Sequence, residues 1–415
     1  MSPTEVDISD LAAFKEIYTV KETFRKSSWY DLIGIPGDQN VFITRNSDIH
    51  RRHRKLLSGP MAESSLKHLT PLVDDKVTTA IQRMREEADA RGTADVFKWF
   101  IFMATDVIAQ LTFGDSFHML EKGKKNDYSE LLESLAGYGA LRVTFPTITA
   151  WASVLPIPLF TKAVALRNEL KQYAIDALKM HKRFALTDPT SVERSLLAAV
   201  IRAKDEADIS FDELRSNAQI YIVAGSDTTA TTLTFLVWAV CKNPQIRDEL
   251  VKELRGLPPD FEEADLRGLS VLDNVIHEAL RLFPAVPTIM RREVPAGGAT
   301  LAGYFFEAGT IVGAQPYTMH RDPYIFPDPE EFKPSRWNEP TKAMNDALFT
   351  FGRGSRVCLG KNLAWIELRL ATSRFFLEFP DARVSPKEDM SDADMAMKTF
   401  FLLQPEGHRC LIEAP

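Results

Sequence analysis

Apolar residues recur at three- and four-residue spacing through much of the first 280 positions, a period that predicts helices. The pattern is clear in DVIAQL at 106–111, across 167–184 and across 244–254. From Pro284 to about Trp337 it gives way to Pro, Gly and aromatic residues. Short strand-like pieces, ATLAGYFF and TIVGAQ, lie there between turn formers. Helical periodicity returns after Gly360 in KNLAWIELRLATSRFFLEF, and the closing FFLLQP and HRCLIEA read as a strand pair. The expected architecture is mainly α with a small β-rich part. With no repeat, low-complexity tract or Gly/Ser-rich linker, residues 1–415 read as one domain.

Two stretches resemble membrane spans. VTFPTITAWASVLPIPLFT at 143–161 carries no charge, but Pro146, Pro156 and Pro158 break helical hydrogen bonding. It reads as an apolar loop over a pocket, or one dipping into a membrane surface. The second, NAQIYIVAGSDTTATTLTFLVWAVC, has Asp227 as its one charge. A helix apolar on all sides is a span or the buried axis of a large protein. Its many hydroxyls and charged borders favour the axis. A single helix over 212–242 would run about 46 Å at 1.5 Å per residue, enough to cross the molecule.

Composition narrows this little: 45% apolar and 26% charged residues exclude a disordered or fibrous chain. Fifty Lys and Arg against 57 Asp and Glu give a net charge of −7, so the chain as a whole does not attract nucleic acid. Three distant cysteines, Cys241, Cys358 and Cys410, make no disulfide framework and fit a reducing compartment. The opening MSPTEVDISDLAAF has no basic region followed by an apolar core, so no leader or anchor is expected.

Three features could carry chemistry. In the long apolar helix, Gly225 permits close approach, and Thr228 and Thr229 can bond back to the preceding turn beside the costly carboxylate of Asp227. An equally good reading is a kink holding a satisfied Asp. In FGRGSRVCLG, at 351–360, Cys358 precedes a helix, whose dipole and unpaired N–H groups favour thiolate. The glycines let a flat ligand approach, and Arg353 and Arg356 offer charge to an anion. A plain buried cysteine is the commoner fate; the chemical alternative is a thiolate holding a metal axially within a macrocycle. Third, Glu278 and Arg281 in HEALRLFP share a helix face, and Arg336 in FKPSRW could join them in a structural lock.

The order AGSDTT, EALR, FKPSRW, FGRGSRVCLG resembles the cytochrome P-450 family of haem-thiolate monooxygenases. The resemblance runs from near residue 1 to the end; HRRHRKLLS, HRDPYIFPDP and PEGHRCLI make the chain similar to fungal secondary-metabolite members. It implies the cytochrome P-450 fold, with the helix near 212–242 crossing over haem b. Cys358 would be the iron ligand, Phe351 would pack beside it, and Ala224 and Gly360 would lie against the haem. His50, Arg54, Arg292 and Arg356 would hold propionates; the basic run around His50 also reads as a docking patch. Asp227 and Thr228 would deliver protons during O2 activation, with electrons from NADPH through an NADPH-cytochrome reductase. Glu278, Arg281 and Arg336 would be the lock.

By the same resemblance, a hydrophobic small-molecule substrate would be bounded by segments 31–48, 143–160, 219–224, 286–289 and 399–401, with Gln219 and Thr288 as orienting groups. Family members usually sit on the endoplasmic-reticulum membrane. Their anchor, first helix and first strand precede the segment resembling SPTEVDISD, so this chain is expected to be intracellular, cytoplasmic or peripheral, touching membrane through 143–161. Its sheet would lack an edge strand and expose apolar surface there. A reductase-independent haem-thiolate isomerase or dehydratase, and a catalytically silent haem protein, are the rival readings; Asp227 and Thr228 argue against the first.

Overall fold

A computed structural model describes residues 5–34, 37–127, 142–147 and 209–413, with a few single positions between 165 and 195. Most of the helix expected at 167–184 and most of 143–161 lie outside the described residues. The rest is a helical body flanked by small sheets, mainly α as anticipated.

The long helix is Phe211–Cys241. Its start is fixed by a capping box: Ser210 accepts from the Glu213 N–H, and the Glu213 side chain accepts from the Ser210 N–H. Beyond Lys242 the chain turns into Pro244–Leu254. The apolar helix Val96–Phe113 packs closely on it: a Cβ at Gly225 would meet Ile108 Cγ1 at 2.7 Å. These two helices are long and apolar enough to cross a bilayer, but 83% and 61% of their apolar windows are buried in protein. They are core helices. Thr70–Arg91, Ser270–Leu282 and Lys361–Glu378 complete the main hydrophobic core.

A second, smaller core gathers Phe14, Tyr18, Val312 and Phe349 beneath a four-stranded sheet. Glu5–Asp7 lies at one edge, parallel to Ile311–Gly313; Arg292–Glu293 and Arg25–Lys26 follow antiparallel. The edge strand is half-buried throughout, including Val6. ATLAGYFF folds as the hairpin Ala299–Leu301 and Tyr304–Phe306, turning at Ala302 and Gly303 with φ of 50° and 83°.

The expected strand pair at the C-terminus needs correction. Leu403–Pro405 pairs with Met397–Thr399, whereas Leu411–Glu413 lies between Ala94–Asp95 and Arg383–Val384. The positive φ of 49° at His408 turns the chain from one sheet to the other. Both segments are strands, but partners far away in sequence claim them.

Candidate active site

The 351–360 loop is a tight turn that drops Cys358 at the start of Lys361–Glu378. Gly352 N–H donates to Phe349 O at 2.7 Å, and Cys358 N–H donates to Phe351 O at 2.8 Å. Gly352 and Gly354 have φ of 73° and 70°, a region where a side chain is strained. A Cβ at Gly354 would also sit 2.6 Å from Thr19 O. The N–H groups of Gly360 and Lys361 reach the Cys358 sulfur, and Arg54 adds positive potential. A Cβ at Gly360 would lie 3.9 Å from Sγ. Arg54 Nη1 donates to Val357 O at 2.7 Å, fastening the basic helix Ser47–Ser58 to the cysteine loop.

The sulfur is open to solvent in the chain itself, and the donors of Gly360, Arg54 and Lys361 pull its thiol down against the upward push of the protein packed around it, the largest influence.

Beside the loop lies a cluster of buried cations. Arg356 donates from Nε to Glu22 Oε1 at 2.5 Å and from Nη1 to Thr44 O at 2.9 Å. Its Nη2 is buried with no acceptor, as is the Thr44 hydroxyl. Arg292, buried, donates from Nη1 to Arg291 O at 2.9 Å and lies over the Tyr18 ring. Lys26, also buried, bonds Phe42 O and sits 4.1 Å from the Tyr30 ring centroid. Burial, then Arg292 and Arg356, hold the Lys26 amine well below its usual range. His50 is pushed down to about 3 by burial, then by Arg356, Lys26 and Arg54, so it stands neutral. Of the groups acting on Lys26, Glu22 alone is acidic. Two arginines and a buried lysine around one carboxylate, with an orphaned guanidinium nitrogen, suit an anionic ligand such as the haem propionates that the resemblance implies.

Arg353 does not join them. It points outward, over the Phe14 ring and 4.0 Å from Asp346. Lys26 and Glu22 were missed by sequence reasoning, because a lysine in FRKSSWYD has nothing to mark it as buried.

On the central helix, Thr228 Oγ1 donates to Ala224 O at 2.6 Å, the bond to the preceding turn that the sequence suggested. Asp227 and Thr228 are half-buried and Ala224 is exposed on the helix surface. Gly225 belongs elsewhere: its close approach is to Ile108, so it serves helix packing rather than a ligand groove. Trp29 and Phe42 both touch the Phe401 ring, joining the 31–48 segment to 399–401 as an apolar wall. Thr288 Oγ1 is buried without a partner, whereas Gln219 Oε1 accepts from Arg215 Nη1 at 3.4 Å.

The lock is tighter than the sequence suggested. Glu278 and Arg281 are both 0% exposed. Arg281 Nε and Nη2 donate to Glu278 Oε2 and Oε1 at 2.9 and 2.8 Å. Arg336 Nε, Lys333 N–H and Trp337 Nε1 add donors at 3.0, 2.8 and 2.9 Å. Arg281 continues to the carbonyls of His320, Pro329 and Glu331. His320 Nδ1 faces Arg281 O at 3.0 Å and Nε2 accepts Phe349 N–H at 3.1 Å, so the lock reaches the turn before the cysteine loop. Burial pushes His320 down to about 3, which keeps it neutral for that acceptor role.

A cysteine at a helix start, a cluster of buried basic side chains and a hydroxyl-rich helix on a mainly α body agree with a haem-thiolate oxygenase. The cytochrome P450 family model matches residues 1–412, and the chain belongs to that family. It is 44% identical to the cytochrome P450 monooxygenase tazI of Aspergillus terreus over 415 residues, all of this chain and 85% of that protein. Over the whole chain it is 36% identical to orf2 and 35% to azaI, both cytochrome P450 monooxygenases of Aspergillus niger, of which 84% and 93% are covered. The chain is thus a haem-thiolate monooxygenase.

Proposed function

We propose that residues 1–415 form a single-domain enzyme that inserts one oxygen atom of O2 into a hydrophobic small molecule in secondary-metabolite biosynthesis. The second oxygen leaves as water, and NADPH supplies electrons through an NADPH-cytochrome reductase. Haem b, held by Cys358, supplies the oxygen chemistry when bound, since a thiolate ligand favours O–O cleavage.

What the chain's own residues do follows from their placement. The N–H groups of Gly360 and Lys361 stabilise negative charge on sulfur, and Arg54 both steadies the loop and adds positive potential. Arg356, Arg292 and neutral His50 would hold the propionates, and the buried Arg356 Nη2 offers a donor to one of them. Phe351, half-buried against the main core, packs beside the cysteine. Ala224, small and exposed, keeps the central helix surface low, where a flat ring and O2 would fit. Thr228 donates its proton to Ala224 O, which leaves its oxygen lone pairs as acceptors for water, and Asp227 one residue away supplies acid. Glu278, Arg281 and Arg336 hold the frame.

The apolar wall of Trp29, Phe42 and Phe401 favours a hydrophobic substrate, and the Thr288 hydroxyl is the group best placed to orient one. Phe145 is 49% exposed, which suits peripheral membrane contact through 143–161; residues 148–161 lie outside the described ones.

The observation that carries this reading is the Cys358 sulfur at a helix start, ringed by backbone donors and Arg54. The reduced carbon-monoxide difference spectrum tests it. The wild type gives the thiolate-ligated band, and Cys358→Ala loses both band and product. Retention of both in that variant overturns the assignment. Thr228→Ala is expected to keep the band yet lower product per NADPH about 10-fold or more, within the range for loss of a proton-transfer group.

A further inference from the structure

Residues 38–45 tie the apolar wall to several other parts of the chain, and one of these ties is a buried ion pair to which the proposal above gives no role. Arg215 Nη2 donates to Asp38 Oδ1 at 2.6 Å, and the two side chains are 3% and 7% exposed. On the next two residues of the central helix, Ser216 Oγ accepts from Asn40 Nδ2 at 3.1 Å and Asn217 Oδ1 accepts from the Val41 N–H at 2.9 Å. Asn40 Oδ1 takes the N–H groups of Phe42 and Ile43, both at 3.0 Å. Further along, Phe42 O accepts from Lys26, and Thr44 O from Arg356. Phe42 therefore stands between a latch on the central helix and the cluster of basic side chains. Its ring centroid is 5.9 Å from that of Phe401.

We propose that Arg215 is a positioning residue that sets substrate specificity: by holding Asp38 it seats residues 38–41 on the central helix and fixes the Phe42 ring as a wall. This rests on the reading of Phe42 and Phe401 as substrate-facing given above.

The location of the pair carries the argument. An exposed arginine and aspartate contribute little, because water and salt screen them. In a closed site the carboxylate depends on its guanidinium, and removing that cation makes it favourable for the carboxylate to move out to water. Lys26 and Arg356 keep their hold on the far end of the loop, so the displacement falls on 38–42 and takes the Phe42 ring away from Phe401. The two halves of the pair are unequal. Arg215 has a second acid, the exposed Asp212, 3.6 Å from its Nε. When Asp38 loses its charge, the guanidinium can turn to Asp212 while Asn40 and Val41 keep the loop seated. Loss of the arginine should therefore disturb the wall more than loss of the acid's charge.

Imidazole and 4-phenylimidazole, a small and a large haem-binding probe, test this by absorbance titration. Amide exchange of residues 38–45, followed by mass spectrometry without either probe, gives a second readout. Arg215→Met is expected to weaken 4-phenylimidazole about 10-fold while imidazole stays within about 2-fold. Exchange at Val41, Phe42 and Ile43 should speed up about 10-fold or more. Asp38→Asn should move both readouts in the same direction by less. Adding Asp38→Asn to Arg215→Met removes the charge that drives the loop outward, so the double variant should return toward wild type. A side chain that only stabilised the fold would weaken both probes alike and gain nothing from the second substitution.

Equal losses for the two probes, unchanged exchange at 41–43, or a double variant no closer to wild type than Arg215→Met would each overturn the proposal. Should Arg215→Met not load haem, Asp38→Asn and the double variant decide by the same probe ratio and exchange rates. Phe42→Ala separates the two readings. If it binds both probes as the wild type does, the wall assignment fails; if it weakens 4-phenylimidazole selectively while Arg215→Met does not, Arg215 alone is misassigned.

Discussion

Glu278 and Glu367 are two glutamates on neighbouring helices, both sealed from solvent, and they have opposite surroundings. Glu278 is met by Arg281, Arg336, Trp337 Nε1 and the Lys333 N–H, so both of its oxygens are bonded by donors, two of them guanidiniums. Glu367 has one hydroxyl, that of Thr229, at 3.3 Å and an oxygen with no partner. The same side chain at the same depth is an anion-centred clamp in one place and a neutral acid in the other. Burial alone therefore does not determine a carboxyl's role; the donors folded around it do.

The largest test of this contrast removes the anion from the clamp. Glu278→Leu leaves Arg281 and Arg336 facing each other without a counter-charge in a site closed to water. Breaking a buried pair from one side costs about 3–5 kcal/mol, a large share of a domain's stability. The expected outcome is a marked loss of urea resistance or of folded, haem-loaded protein. A variant that unfolds at the wild-type urea midpoint would show the clamp to be ornamental.

Glu367 should respond to pH with the reverse sense. Its folded value of about 8 lies above the ordinary 4.5, so between those values the folded protein holds a proton that the unfolded chain has released. Stability contributed by the neutral form is full below about 4.5 and is lost as pH rises through about 8. The slope is at most about 1.4 kcal/mol per pH unit. Urea midpoints measured from pH 5 to 8 should fall in the wild type and stay flatter in Glu367→Gln, every other titrating group being common to both. Parallel curves would place the Glu367 proton elsewhere.

The clamp and the acid also differ in how far the sequence announced them. Spacing placed Glu278 and Arg281 on one helix face, and FKPSRW supplied Arg336, so the clamp was legible although its complete burial was not. Glu367 sits in ELRLATS, where a single glutamate beside Arg369 reads as part of a solvated helix face. What buries it is the central helix lying across it, a tertiary fact with no local signature. Lys26 and Glu22 escaped for the same reason. The long helix was legible almost to the residue, because its apolar run begins at a Ser–Glu capping box and ends before Asn-Pro. The two arginines of the cysteine loop were not separable in sequence: Gly354, with φ of 70°, turns Arg356 inward and leaves Arg353 outside. The terminal strands were recognised as strands but wrongly paired, since periodicity fixes a strand's faces and not its neighbour.

The finest test concerns the single hydroxyl that distinguishes Glu367 from a wholly unpartnered acid. Thr229→Val keeps the shape of the side chain and removes the donor. Because Thr229 is the one influence lowering Glu367, its loss should move the titration midpoint upward, further from the ordinary carboxyl range. The stability cost should be small, about 0.5–1.5 kcal/mol, the net value of one intramolecular hydrogen bond. The infrared carbonyl band of the protonated acid should move to the position of a less hydrogen-bonded acid and persist to higher pH than in the wild type. A midpoint that moves down instead would mean that the hydroxyl serves the neutral acid rather than the anion. The contrast with Glu278, whose donors all serve its anionic form, would then be sharper still.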